Sequence, residues 1–113
     1  MAVDSSNADE SEHERLPETV VEDLLDDPRR RAMLRLLGTH DGSIRMTQLA
    51  ARVIADERSI PIDAVSLEER RRVCDTLYEC HLPKLTATTV LRYNSRQASV
   101  ELDEKATQLL DRL

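Results

Sequence analysis

The stretch SLEERRRVCDTLYECHLPKLTATTVLRYNSRQASVEL, residues 66–102, decides how the rest of the chain is read. Ser66 with Glu69 three residues on is a capping box, in which a hydroxyl satisfies a free amide and a helix begins. From there Val73, Cys74, Leu77, Tyr78, His81 and Leu85 recur at helical spacing and share one apolar face. Arg72, Asp75, Thr76 and Glu79 fall on the other side, with Arg71 on a flank. Pro83 lacks an amide hydrogen and crowds the turn before it. A kink is expected near Glu79 to Leu82 rather than a stop, because Leu82 and Leu85 continue the apolar pattern. After TATT, two runs with β-branched or aromatic members flank a polar turn at Asn94 to Gln97, which predicts a hairpin over about 90–102.

Working back toward the amino terminus, Thr47 is expected to cap a helix, TQLAARVIADER, that buries Leu49, Ala50, Val53 and Ile54. SIPIDAV connects it to the Ser66 helix. Ser43 to Met46 is short for a strand but can pair at the edge of a small sheet. In DDPRRRAMLRLLG, Asp27 is a good N-cap and Pro28 a good first helical residue. Met33, Leu34, Leu36 and Leu37 then face inward, Arg29, Arg30, Arg31 and Arg35 mostly outward, and Gly38 closes the helix. The first helix, TVVEDLLDD, carries Val20, Val21, Leu24 and Leu25 as a stripe. The last, EKATQLLDRL, is expected to be capped by Asp103 and carries Ala106, Leu109, Leu110 and Leu113. Little domain is left to cover these two terminal helices, so a symmetric homodimer through Val20, Val21, Leu24, Ala106, Leu109, Leu110 and Leu113 is expected. The alternative is that they close the protomer's own core.

A chain of 113 residues supports one small domain. Its core must be aliphatic, because there is no Phe or Trp and the only aromatics are Tyr78 and Tyr93. No run approaches the ~20 apolar residues of a membrane span, and the start of the chain lacks the apolar stretch of a signal peptide. A cytoplasmic protein is expected. Residues 1–17 read as a disordered, acidic, solvating leader, and residues 18–113 as the folded domain. Residues 1–27 carry ten Asp/Glu and one arginine, a net of −9; the remaining twelve acids and fifteen Lys/Arg give +3, recovering the −6 of the whole. Fourteen of the sixteen basic residues are Arg. An acidic chain with Arg far above Lys resembles proteins of salt-loving archaea. Cys74 and Cys80, six apart on one helix, cannot bridge each other and read as buried or half-buried free thiols.

The order helix, helix, short strand, helix, long helix, hairpin, helix gives a mainly α fold with a small β-hairpin, the plan of a winged helix-turn-helix. The residues that make this specific are LLDDPRRRAMLRLL and TLYECHLPKLTATTVLRYNSRQASVEL, with CHLPKL at the centre. They resemble a set of haloarchaeal winged-helix proteins and, more distantly, ArsR-type repressors. Residues 24–113 fall within the resemblance. It implies a DNA-binding regulator with the Ser66 helix as recognition helix and the hairpin as wing. There are departures. Thr88-Thr89 stands where those proteins have Ala-Gly, Cys80 stands where they have Thr, and the connection from Arg58 to Ser66 is longer than a compact turn.

The candidate DNA contacts are Arg70, Arg71, Arg72, Asp75, Thr76 and Glu79 on a recognition helix spanning about 66–82. Arg92 and Arg96 join them from the wing, and Thr47 and Gln48 from the start of the preceding helix. Arginine makes bidentate contacts to guanine or clamps a phosphate, while a threonine methyl meets thymine. The alternative for EERRR is a solvated face with local Glu–Arg pairs, and Asp75 and Glu79 weigh toward it. Arg29, Arg30 and Arg31, at a helix start, could also meet a phosphate. His81 reads as a hydrogen-bonded core histidine. No Gly-rich phosphate loop, metal-ligand spacing or nucleophile–base pair is present, so no cofactor, no metal and no enzymatic activity are expected. The partners expected are double-stranded DNA and a second copy of the chain. A protein-interaction module of the same shape is the competing reading.

Overall fold

The computed structural model describes residues 15–113, so most of the acidic leader lies outside the described residues. The elements are α1 (Glu18–Leu25), α2 (Pro28–Gly38), β1 (Ile44–Arg45), α3 (Met46–Arg58), a 3-10 turn (Ile62–Ala64), α4 (Leu67–Thr76), a π-turn (Leu77–His81), α5 (Leu82–Ala87), β2 (Leu91–Asn94), β3 (Ser99–Leu102) and α6 (Ala106–Leu110). The protein is mainly helical with a small antiparallel sheet in the order β1-β3-β2. The short run at Ile44 does find an edge: Ile44 lies opposite Val100 and Arg45 opposite Ser99.

The helix starts show which local signals prevail. Asp27 accepts from the amides of Arg29 (2.8 Å) and Arg30 (3.2 Å), and Pro28 follows as the first helical residue. Ser66 Oγ accepts from the Glu69 amide at 3.1 Å. The other half of that box is diverted, because the Glu69 carboxylate pairs with Arg58 of α3 and so ties α3 to α4. Thr47 is not a cap: it lies inside α3, whose cap position is two residues earlier, at the extended Arg45. Strand pairing explains this, since Arg45 is held opposite Ser99 and the Met46 amide donates to the Ala98 carbonyl at 2.8 Å. Asp103 is likewise displaced from its expected cap. Its carboxylate accepts from Glu104 N, and α6 starts after Lys105.

The long helix does not stop at Pro83. It widens, and the Leu82 amide reaches back five residues to the Leu77 carbonyl. An unbroken α-helix would set Leu82 about 140° away from Leu77. The wider turn brings it back to the buried side, and Val73, Cys74, Leu77, His81, Leu82 and Leu85 are all buried. The helix then closes in a Schellman motif, Val90 N to Leu85 O at 2.9 Å and Thr89 N to Thr86 O at 3.1 Å. Thr89 itself takes φ +62°, so threonine occupies the left-handed position that suits glycine. At the end of α2, Gly38 is not the left-handed residue; φ is positive at Gly42 instead. Gly38 lies close under α6: a Cβ there would sit 3.2 Å from the Leu110 side chain, which would have to shift slightly.

The core is aliphatic as expected, with Met33, Leu34, Leu37, Ile44, Leu49, Leu77, Leu85 and Leu91 almost wholly removed from water. Each such side chain contributes about 1.5–3 kcal/mol relative to an exposed one. The two tyrosines join the long helix to β2. Their rings stand edge to face with centroids 5.7 Å apart, and their hydroxyls are 3.1 Å apart. The terminal helices take part in this same core. Val21, Leu24, Ala106 and Leu109 are buried within the protomer, Val20 and Leu110 are half-buried, and Leu113 is 41% exposed. The Gln108 carboxamide clamps the backbone of Leu16 in both directions, N–H to Oε1 at 2.9 Å and Nε2 to the carbonyl at 2.8 Å. Among the described residues no helix is long and apolar enough to cross a membrane.

Candidate nucleic-acid interface

The Ala98–Met46 hydrogen bond fixes the end of the β2–β3 turn beside the first residue of α3. Polar and basic side chains lie on either side of that junction. On the hairpin side, Asn94 Oδ1 accepts from the amides of Arg96 (3.0 Å) and Gln97 (3.2 Å), which shapes the turn and leaves the Arg96 side chain exposed. Arg92 is less available: it lies 3.1 Å from Glu101 and 3.8 Å from Asp103. Arg92, Asn94, Arg96 and Ser99 line a concavity of about 550 Å³ with Ser43.

On the helix side, Thr47 and Gln48 are exposed in the first turn of α3. They share a shallow pocket of about 280 Å³ with Ala51, Ile62, Asp63 and Arg70. Arg70 is only partly exposed, and its Nε is buried without a hydrogen-bond partner. Thus the structure brings Thr47, Gln48 and Arg70 together from two helices and the connection between them. Arg71 and Arg72 continue onto the exposed side of α4. Arg72 lies 3.6 Å from Glu68, a single-turn pair. Arg71 has no acidic partner within ion-pair distance among the described residues. Thr76 is half-buried and turns its hydroxyl back to the Arg72 carbonyl at 3.2 Å. Asp75 and Glu79 are exposed on the same helix, and its surface is of mixed sign. Arg45, opposite Ser99 of the hairpin and just before α3, is exposed too. Sequence reasoning missed it, although a basic residue just before a helix start was the available signal.

The other arginine triplet does something different. Arg29 makes a two-pronged pair with Glu57 of α3, both contacts at 3.0 Å, and the Glu57 carboxylate holds its guanidinium above the ordinary arginine value. Arg31 donates to the Leu25 carbonyl at 2.6 Å. Arg30, expected outward, is 7% exposed. Its Nε donates to the Leu24 carbonyl and its Nη2 to the Asp23 carbonyl, each at 2.8 Å. The last carbonyls of α1 are therefore capped by side chains of α2, because a helix end leaves its carbonyls without intrahelical donors. These arginines are spent on the fold.

His81 lies beside Arg30, with Nδ1 3.3 Å from Nη1, and is 6% exposed. The expected core histidine is what the structure contains. Burial, and after it the Arg30 charge, push its pKa below the ordinary value against the pull of Asp27. Asp27 is held below the usual carboxylate range: burial alone would raise it, and the Arg30 and Arg29 amides overcome that. The thiols part company. Cys74 is buried and its pKa is pushed up by that burial and by Asp75, which keeps it a protonated, weakly nucleophilic thiol. Cys80 is exposed, contrary to expectation, because the wider turn carries it to the outside. Burial and the hydroxyl of Tyr93 raise the Tyr78 phenol.

The chain belongs to the family described as a domain of unknown function, DUF7344, whose model matches residues 22–101, from within α1 to β3. No curated protein and no solved structure matches it.

Proposed function

We propose that this DUF7344 protein is a sequence-specific regulator of transcription that binds double-stranded DNA as a winged helix. In that reading α2, β1, α3, the long helix and the β2–β3 hairpin correspond in order to the winged-helix plan. The sheet order β1-β3-β2 and the three-stranded sheet support it. The observation that carries the reading is the Ala98–Met46 bond, which sets the end of the hairpin that bears Arg96 beside the start of α3, where Thr47 and Gln48 share a pocket with Arg70. The segment 66–82 enters the major groove, where Arg71 and Arg72 meet base edges or phosphates and Asp75 or Glu79 accepts from cytosine. The wing, about 90–102, lies on the backbone through Arg96, with Arg92 available once it leaves Glu101.

The acidic, arginine-rich composition fits the cytoplasm of a halophilic archaeon. At molar salt the Debye length is about 3 Å and counterion release drives binding weakly. Affinity then comes from short-range contacts, and a net charge of −6 is no obstacle. The function includes no catalytic step and no cofactor. A homodimer suits a two-fold operator. Val20, Leu110 and Leu113 retain surface for it, whereas Val21, Leu24, Ala106 and Leu109 reach a partner only if the terminal helices unpack.

The test is retention of sheared genomic DNA in molar potassium chloride, with the retained fragments sequenced, beside the Arg71→Ala/Arg72→Ala variant. Fragments that share a motif and are lost in the variant support the regulator. The exposed Glu68, Asp75 and Glu79 on the helix that Leu67, 72% exposed, opens favour a second reading, a protein-interaction module. A folded protein that retains no DNA but captures a defined partner through α4 establishes that one.

A further inference from the structure

A guanidinium has donors and no acceptor. The nitrogen of His81 that faces Arg30 Nη1 at 3.3 Å must therefore offer a lone pair, and the ring carries its proton on Nε2 or is at least unprotonated at Nδ1. The same Arg30 holds the Asp23 and Leu24 carbonyls at the end of α1. One side chain thus joins α1, α2 and the π-turn. We propose that His81 is a proton-operated latch: neutral, it accepts from Arg30 and holds α1 to the π-turn; protonated, it expels Arg30 and releases both.

The groups around the ring bear this out. Arg29 and Arg30 of α2 and Lys84 of α5 all disfavour a second positive charge. Asp27 is the charge that opposes them. Its Oδ1 already accepts from two α2 amides, and it carries no hydrogen bond to the ring. Asp23 of α1 lies 3.5 Å from Lys84 and so offsets that lysine in part. On protonation, Nδ1–H and Nη1–H would point at each other across a buried contact, and two donors with no acceptor between them cannot stay there. The open state takes up the proton more readily than the closed one, since burial and Arg30 hold the closed-state pKa below 6.5. The latch therefore contributes fully above about pH 6.5 and is lost as the pH falls.

His40 supplies the control within the same molecule. It too lies beside an arginine, Arg52 Nη1 at 3.4 Å, but at a site where one partner bond reaches the exposed Ser43 carbonyl. Amide hydrogen exchange of α1 and of residues 77–81 is measured between pH 7.5 and pH 5 after correction for intrinsic rates, in the full chain. The ring protons of His81 are followed by NMR in the same samples. Protection of α1 should begin to fall below about pH 6.5, by no more than about tenfold per pH unit, and should level off below the pH at which the ring itself titrates. His81→Asn should lose this pH dependence, and His40→Gln should keep it. Protection of α1 that stays level from pH 7.5 to pH 5, whether or not the ring titrates, overturns the latch. So does an unchanged pH dependence in His81→Asn. If that variant does not fold, the fall in α1 protection below about pH 6.5 in the unaltered protein and in His40→Gln decides alone.

Discussion

Two runs of three arginines, 29–31 and 70–72, look alike in the sequence and are used in opposite ways. The first follows an N-cap and a proline, and its guanidinium groups turn back onto the end of α1 and across to α3. The second also follows a capped helix start, but Arg71 and Arg72 stand in solvent, with Arg70 half-covered at their foot. The difference is the neighbour. Only two residues separate α1 from α2, so the carbonyls of α1 lie within reach of an α2 side chain. A longer connection with its own 3-10 turn precedes α4, and among the described residues no side chain of Arg70, Arg71 or Arg72 donates to a backbone carbonyl. A basic cluster is free to bind a ligand only where no backbone is asking for its donors.

Four substitutions break or sharpen that contrast. Arg30→Ala should have the largest effect, lowering stability by about 2–4 kcal/mol, since buried carbonyls and a buried histidine lose their donor together; chemical denaturation reads it. Asp27→Ala removes the cap that orients the first triplet and should cost about 1 kcal/mol, read as a shift of the denaturation midpoint. Thr89→Gly should act in the other direction, stabilising the protein by about 0.5–1 kcal/mol by relieving a β-branched residue at φ +62°. Thermal melting checks it, and DNA retention should be unchanged. Arg71→Ala should be smallest, within about 0.5 kcal/mol of the parent in stability, while it weakens DNA binding. Equal losses of stability from Arg30→Ala and Arg71→Ala would erase the distinction.

Most elements could be read from spacing, because caps and apolar periods are local. Asp27, Pro28 and Ser66 act as their side-chain chemistry requires, and the buried stripe Val73, Cys74, Leu77, His81 and Leu85 is the one that 3.6-residue spacing marks. Arg30 was legible too, since it continues the Met33, Leu34 and Leu37 stripe one turn back. Its charge argued otherwise, because the carbonyls that would satisfy it belong to another helix. Thr47 and Asp103 were misplaced for a related reason: strand pairing at Arg45 and the turn before α6 settle those starts, and both depend on residues far away in the chain. Of the candidate site, spacing could name residues one by one. What it could not supply was the junction of Ala98 with Met46, which sets the end of the hairpin beside the start of α3.

The π-turn at Leu77–His81 has a consequence for comparing sequences. Such a turn holds one residue more than an α-turn between the same two ends. A related chain one residue shorter within this stretch would close into ordinary helix and keep Arg70–Arg72 on one side and the hairpin on the other. An alignment gap at this place would mark a change of helical winding and leave the fold as it is.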